Sequence, residues 1–225
     1  EDNQQIILRK IYDKAHQHQV NFFINKDIIV LGSGIGQFRT KVNKITKLKD
    51  IPWKKIHNIP TALITGTNGK TTTTRLTEFI CRKAKLKSAY CSTDWVMVNG
   101  RKVVEGDLSG PTGHQYAMMN QKVEVAILEA ARGGIVKRGL MPNYVDVATV
   151  TNIAYDHIGQ NGINSLVDLA NAKGVVYNAL KQDGIAIINL DDEHIKQLVV
   201  KHKKAYISTK LSEQEISKYL TDDNY

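Results

Sequence analysis

Thr61-Ala-Leu-Ile-Thr-Gly-Thr-Asn-Gly-Lys-Thr-Thr-Thr-Thr-Arg75 decides how the chain is read. Residues 61–65 are apolar and β-branched enough to form a buried strand. Gly66-Thr67-Asn68-Gly69 makes a turn, and Lys70-Thr71 opens a helix. Strand, glycine turn and Lys-Thr at a helix start together form a phosphate cradle. Glycines let backbone N–H groups close on an anion, and the helix N-terminus adds partial positive charge. In such a cradle Lys70 meets the β- and γ-phosphates of a nucleotide and the Thr71 hydroxyl meets Mg²⁺. One position departs from the common G-x-x-x-x-G-K-[ST] pattern: Ile64 stands where its first glycine would be.

Downstream, residues 72–85 predict a helix with Leu76, Phe79, Ile80 and Ala84 on its buried side. Residues 87–92 predict a strand, and 95–98 with 101–104 a hairpin about Asn99-Gly100. Residues 106–113 read as a loop and 114–121 as a short helix. Strands follow over 123–128, 145–150, 184–190 and 205–208, with helices over 165–180 and 192–201. Alternation of strands and helices predicts an α/β fold, a mainly parallel sheet with helices on both faces. Ligands of such sheets sit beyond the carboxyl ends of the strands. The phosphate loop, Glu129, and Asn152 with His157 all fall at such ends.

Upstream, residues 3–19 predict a helix with Ile6, Ile7, Ile11 and Ala15 on one face. Residues 20–31 read as a strand-like stretch broken at 25–27. Gly32-Ser33-Gly34-Ile35-Gly36 lacks the G-x-G-x-x-G spacing of a dinucleotide fingerprint and reads as a glycine loop. The expected organisation is an N-terminal appendage and connector over 1–58, a central domain over 59–208 and a polar tail over 209–225.

At 225 residues the chain can bury one good core, and its 42% hydrophobic and 24% charged content is ordinary for a globular protein. No apolar run reaches membrane-spanning length, and Cys81 and Cys91 lack metal-ligand spacing. A cytoplasmic protein with reduced thiols is expected, with no membrane partner. The net charge of +9 is concentrated in residues 1–60, which hold eleven Lys/Arg against five Asp/Glu. A solvated basic surface is the simpler account of that excess, since no aromatic-interleaved basic motif points to nucleic acid.

Glu129 ends an apolar strand, where a carboxylate is costly without a partner. A Mg²⁺ shared with Thr71 would supply one, and so would Arg132 or Arg138. Arg132-Gly133-Gly134 puts a guanidinium on permissive backbone, suited to gripping a phosphate or carboxylate. His157, beside Asp156, reads as a metal ligand.

These motifs resemble those of Mur ligases. Thr65-Gly-Thr-Asn-Gly-Lys-Thr71, Glu129-Ala-Ala-Arg-Gly-Gly134, Thr151-Asn-Ile-Ala-Tyr-Asp-His-Ile-Gly159, Ala172-Lys173 and Asn189-Leu-Asp-Asp192 occur in that family's order. Glu129–Leu140 and Gly106-Asp-Leu-Ser-Gly-Pro111 look most like the Mur-ligase-like part of cyanophycin synthetases. The resemblance covers about residues 59–195. It implies a P-loop central domain that binds ATP and joins a carboxylate to an amino-acid amine through an acyl phosphate. It places the nucleotide on Gly66, Thr67, Asn68, Gly69, Lys70, Thr71, Thr72 and Asn152, and one Mg²⁺ on Thr71 and Glu129. His157 would stand near a second Mg²⁺, and Lys173 at the place where many members carry a carbamylated lysine. The acceptor, a small-molecule or peptide carboxylate, is expected near Ser109, Thr112, His114 and Arg132.

Two departures bear on the whole. Sixty residues before the phosphate loop are too few for the ATP-grasp region of cyanophycin synthetases. The thirty-odd residues after Asp192 are too few for a C-terminal amino-acid-binding domain, so the chain reads as a fragment of a longer ligase. Competing readings are a P-loop kinase or ATPase without ligation, and a nucleotide-gated module that binds a polyanion.

Overall fold

The computed structural model describes residues 2–156, 158–160 and 162–220. The first helix, α1 (Asp2–Gln17), buries Ile11 and Ala15, while Ile6, expected on the same face, is half exposed. Ile7, Ile11 and Ala15 are spaced by four residues and define the stripe; Ile6 sits one position off it. Residues 20–31 form an antiparallel hairpin rather than one broken strand: β1 (Phe22–Asn25) and β2 (Ile28–Leu31) turn at Lys26, whose φ is +56°. A third strand, β3 (Phe38–Lys41), pairs with β2 and completes a three-stranded sheet. Ile11, Val20, Ile29, Leu31, Ile45, Ile51 and Ile56 form a core of their own beneath it. Phe23, Val30 and Ile59 belong instead to the main core, so the two units share a packed seam.

The second sheet has eight strands and holds the site. In chain order these are β4 (Thr61–Thr65), β5 (Ser88–Cys91), β6 (Trp95–Val98), β7 (Arg101–Glu105), β8 (Val125–Glu129), β9 (Val145–Val150), β10 (Leu180–Asn189) and β11 (Lys203–Ile207). Their spatial order is β11-β10-β9-β4-β8-β5-β6-β7. Strands from β11 across to β5 run parallel; the β6–β7 hairpin adds an antiparallel edge. Val125, Ala126, Ile127 and Leu128 lead up to Glu129 in β8, which is buried at all five positions, as a strand covered on both faces requires. From β4 the chain moves to one side of the sheet, and from β9 to the other. The crevice between their carboxyl ends is therefore the topological switch point, where ligands of such sheets bind.

After β4, α2 (Lys70–Lys83) begins at the lysine of the cradle. Its buried positions are Thr74 and Glu78; Leu76, Phe79 and Ile80, expected inside, are 58, 44 and 60% exposed. Glu78 turns inward in their place, and its carboxylate accepts from Ser88 Oγ at 2.7 Å. Further along, α3 (Pro111–Met118) starts three residues earlier than the sequence suggested, with proline at its first position, where a missing N–H costs nothing. α4 (Arg132–Arg138) forms despite two glycines, and α5 (Leu166–Gly174) starts at a Ser165 cap. A 3₁₀ turn over Val175–Ala179 ends that helical segment, so β10 begins at Leu180 rather than 184. α6 (Glu193–Lys196) is a single turn capped by Asp192, and α7 (Glu213–Ser217) is capped by Ser212. No helix among the described residues is long and apolar enough to cross a membrane.

Candidate active site

The phosphate loop follows β4 and is held from β9. Gly66 has φ +147°, and a Cβ there would lie 1.8 Å from Thr151 Oγ1. Gly69 has φ +79° and caps α2 in the left-handed region. Both conformations favour glycine. The Asn152 carbonyl accepts from Thr67 N–H at 2.8 Å, and its side-chain oxygen accepts from Asn68 N–H at 3.0 Å. Asn152 Nδ2 and Thr151 Oγ1 both donate to the Asn68 carbonyl, at 3.0 and 2.7 Å. Asn152 thus braces the loop, and Thr67 and Asn68 already use their amides there. Open to an anion are the first-turn N–H groups of α2, which lack intrahelical acceptors. Thr72 lies on that turn. Lys70 Nζ donates to the Thr67 carbonyl at 2.8 Å, folded over the loop it serves.

Glu129, the last residue of β8, is fully buried. Its Oε2 accepts from Thr71 Oγ1 at 2.9 Å, while Oε1 has no hydrogen-bond partner among the described residues. Burial holds its carboxyl above the usual carboxylate range, and the Thr71 hydroxyl, the nearby Lys70 and the approach of the Thr93 N–H work against that. A buried acid with an orphan oxygen, beside a hydroxyl at the mouth of a phosphate loop, is a fitting donor set for a hard divalent cation. Of the two alternative partners, Arg132 donates to Gln160 Oε1 at 3.5 Å, and the side chain of Arg138 lies outside those described.

Lys173, on α5, is 3% exposed, and its Nζ donates to the Gly66 carbonyl at 2.7 Å. Burial first, and then the neighbouring charge of Lys70, lower its pKa to about 8; Asp156 opposes the shift. Lys70, Thr71, Glu129 and Lys173 therefore converge on one loop. His157 lies outside the described residues.

The residues expected around an acceptor do not share one pocket. Thr112 and His114 are two positions apart on α3, about 200° around its axis. Thr112 lines a cavity of about 490 Å³ with Asn25, Arg39 and Tyr116. His114 instead points into the core: it is 1% exposed, Nε2 sits 2.9 Å from the Glu129 carbonyl oxygen, and burial lowers its pKa to about 4. Ser109 is also buried, donating to Asp107 Oδ1 at 2.7 Å. Close packing of Gly134 on Gly110 brings this segment against the turn bearing Arg132.

Sequence reading gave no role to Asn189 and Asp192. Asn189 Nδ2 donates to the Thr151 carbonyl at 2.8 Å, and Asp192 Oδ2 accepts from Ile153 N–H at 2.6 Å. They hold the segment that holds the phosphate loop. Both belong to the Asn189-Leu-Asp-Asp192 motif that the sequence shares with Mur ligases.

Fold and site together define a P-loop α/β domain. The family model described as the Mur ligase middle domain matches residues 64–224, and the chain belongs to that family. The cyanophycin synthetase of Crocosphaera subtropica is 44% identical over 152 residues, 67% of this chain and 17% of that protein. The UDP-N-acetylmuramoyl-L-alanyl-D-glutamate–2,6-diaminopimelate ligase of Chlorobium phaeobacteroides is 27% identical over 143 residues, 61% of this chain and 27% of that one. Among solved structures, a UDP-N-acetylmuramoyl-L-alanyl-D-glutamate–2,6-diaminopimelate ligase matches with a TM-score of 0.56 and 24% identity, over 69% of this chain and 33% of that chain. MurF from Acinetobacter baumannii matches with a TM-score of 0.52 and 20% identity, over 66% and 31%. These two share the fold. The chain spans about a sixth of the length of the cyanophycin synthetases it matches.

Proposed function

We propose that this chain is the nucleotide-handling part of an ATP-dependent ligase that joins a carboxylate to the amine of an amino acid. One observation carries the reading: the buried Glu129 carboxylate, bonded to Thr71 at the phosphate loop, has an oxygen left unpartnered. In this reading the acceptor carboxylate attacks the γ-phosphate of ATP, giving an acyl phosphate and ADP. The amine then displaces phosphate, and an amide forms.

Each residue has a task suited to its surroundings. Lys70 and the first-turn N–H groups of α2 offset charge on the β- and γ-phosphates. Thr71 and Glu129 would hold Mg²⁺, whose positive charge would reduce repulsion between the two anions that must meet. Arg132 suits the acceptor carboxylate, a small molecule or peptide end, because its guanidinium can bind both oxygens. Lys173 has a pKa of about 8, so a share of it is the neutral amine near neutral pH. That is the form able to add CO₂ and become a carbamate. Alignment of the reacting groups contributes on the order of 7–11 kcal/mol.

Phosphate release from ATP and Mg²⁺ tests the reading, across a panel of amino acids and carboxylate acceptors with Lys70→Ala as control. Release that requires both an acid and an amine is expected. Release indifferent to the amine would replace ligation by simple phosphoryl transfer.

A further inference from the structure

We propose that His114 and Thr65 are positioning residues that aim the Glu129 carboxylate by pinning the two carbonyl groups that follow it. The inference rests on the proposed role of Glu129 as a cation ligand. β5 stops pairing with β8 at Leu128, and β4 stops at Glu129. The two peptide planes beyond that point have no complete ladder to hold them, yet each is fixed at both ends. In the first plane, Ala130 N–H donates to the Ile64 carbonyl at 2.8 Å and His114 Nε2 meets the Glu129 carbonyl at 2.9 Å. In the second, Ala131 N–H donates to the Ser109 carbonyl at 2.8 Å and Thr65 Oγ1 donates to the Ala130 carbonyl at 2.6 Å. Backbone supplies one end of each plane and buried side chains the other, the Cys91 thiol reaching the Glu129 carbonyl only as a weak second donor at 4.0 Å.

His114 is an expensive way to fill a core position. A carbonyl oxygen only accepts, so Nε2 carries the hydrogen and Nδ1 is left as a bare acceptor. Nδ1 is buried and has no partner among the described residues. Packing alone would favour an apolar side chain there, because an unpaired buried polar atom is destabilising. What the imidazole adds is one donor at a fixed place, aimed at the backbone of Glu129. Thr65 adds the matching donor from the neighbouring strand β4. Fixing the planes after Glu129 fixes the path of its backbone, and with it the direction in which its carboxylate meets Thr71.

Mn²⁺ binding in the presence of ADP, followed by electron paramagnetic resonance, tests this on the full chain. His114→Met keeps the volume and removes the donor; His114→Gln keeps an N–H donor. Thr65→Val and Thr65→Ser make the same comparison on the other plane. Loss of an outer partner of a metal ligand costs about 10- to 100-fold in metal affinity. That loss is expected for His114→Met and Thr65→Val, with ADP affinity in EDTA unchanged. His114→Gln and Thr65→Ser should stay close to wild type. Should His114→Met fail to fold, the Thr65 pair decides. Wild-type Mn²⁺ affinity in folded His114→Met or Thr65→Val would overturn the inference, and so would equal losses in the donor-keeping variants. A wild-type chain that binds no Mn²⁺ with ADP would instead overturn the reading of Glu129, and this inference with it.

Discussion

The ammonium group of Lys173 lies 2.7 Å from the carbonyl oxygen of Gly66, so a helix after β9 closes directly onto the loop after β4. Lys173 is folded at a pKa of about 8, against 10.5 for a free lysine. The unfolded chain thus binds more protons than the folded one between those values, and stability rises with pH across that window. Lys173→Met removes the titration. The stability difference, wild type minus Lys173→Met, is expected to increase in favour of wild type from pH 8 to pH 10.5. Denaturant titrations of both proteins at several pH values check this; a flat difference would contradict the buried, desolvated lysine.

Gly66 and Gly69 both have positive φ but different surroundings. A Cβ on Gly66 meets Thr151 Oγ1 at 1.8 Å, whereas nothing lies within 4 Å of one on Gly69. Gly69→Ala should cost about 1 kcal/mol, the strain of a left-handed backbone alone. Gly66→Ala should cost more, and Thr151→Ala should restore part of the loss, which a double-mutant cycle measures. Equal costs for the two glycines would argue against the close approach of the loops.

Asn21 joins the N-terminal unit to the main sheet. It is fully buried; Nδ2 donates to the Tyr144 carbonyl at 3.0 Å, and Oδ1 accepts from the N–H groups of Asn143 and Tyr144 at 2.9 and 3.1 Å. Asn21→Leu strands those three backbone groups, so a loss of about 2 kcal/mol or more is expected in equilibrium unfolding. A change below about 0.5 kcal/mol, ordinary for a surface site, would show that the seam does not depend on this residue.

Leu76 and Ile80 give the opposite expectation. Both are more than half exposed, so Leu76→Lys and Ile80→Glu should change stability by no more than about 0.5 kcal/mol. Losses of about 2 kcal/mol, those of a buried aliphatic side chain, would restore the helix face that the sequence alone suggested.

That helix shows where sequence reasoning stops. The parallel sheet, the phosphate loop and the strand-end positions of Glu129 and Asn152 were legible, because strand alternation and glycine turns are local signals. Which stripe of α2 faces inward was not, because the buried Glu78 is held by Ser88 on β5 as well as by Arg82 one turn along the helix. The early start of α3 was hidden likewise, and with it the separation of Thr112 from His114. The second plane beyond Glu129 could not be foreseen, since it joins Thr65, Ala130 and Ser109 across distant parts of the chain.

The most direct test of the account is a calorimetric titration of ADP into the chain, with Mg²⁺ and with EDTA, for wild type, Lys70→Ala and Glu129→Gln. Mg²⁺ is expected to strengthen wild-type binding, Lys70→Ala to lose binding in both conditions, and Glu129→Gln to lose only the Mg²⁺-dependent gain. ADP binding unaffected by either substitution would place the nucleotide elsewhere and contradict the site.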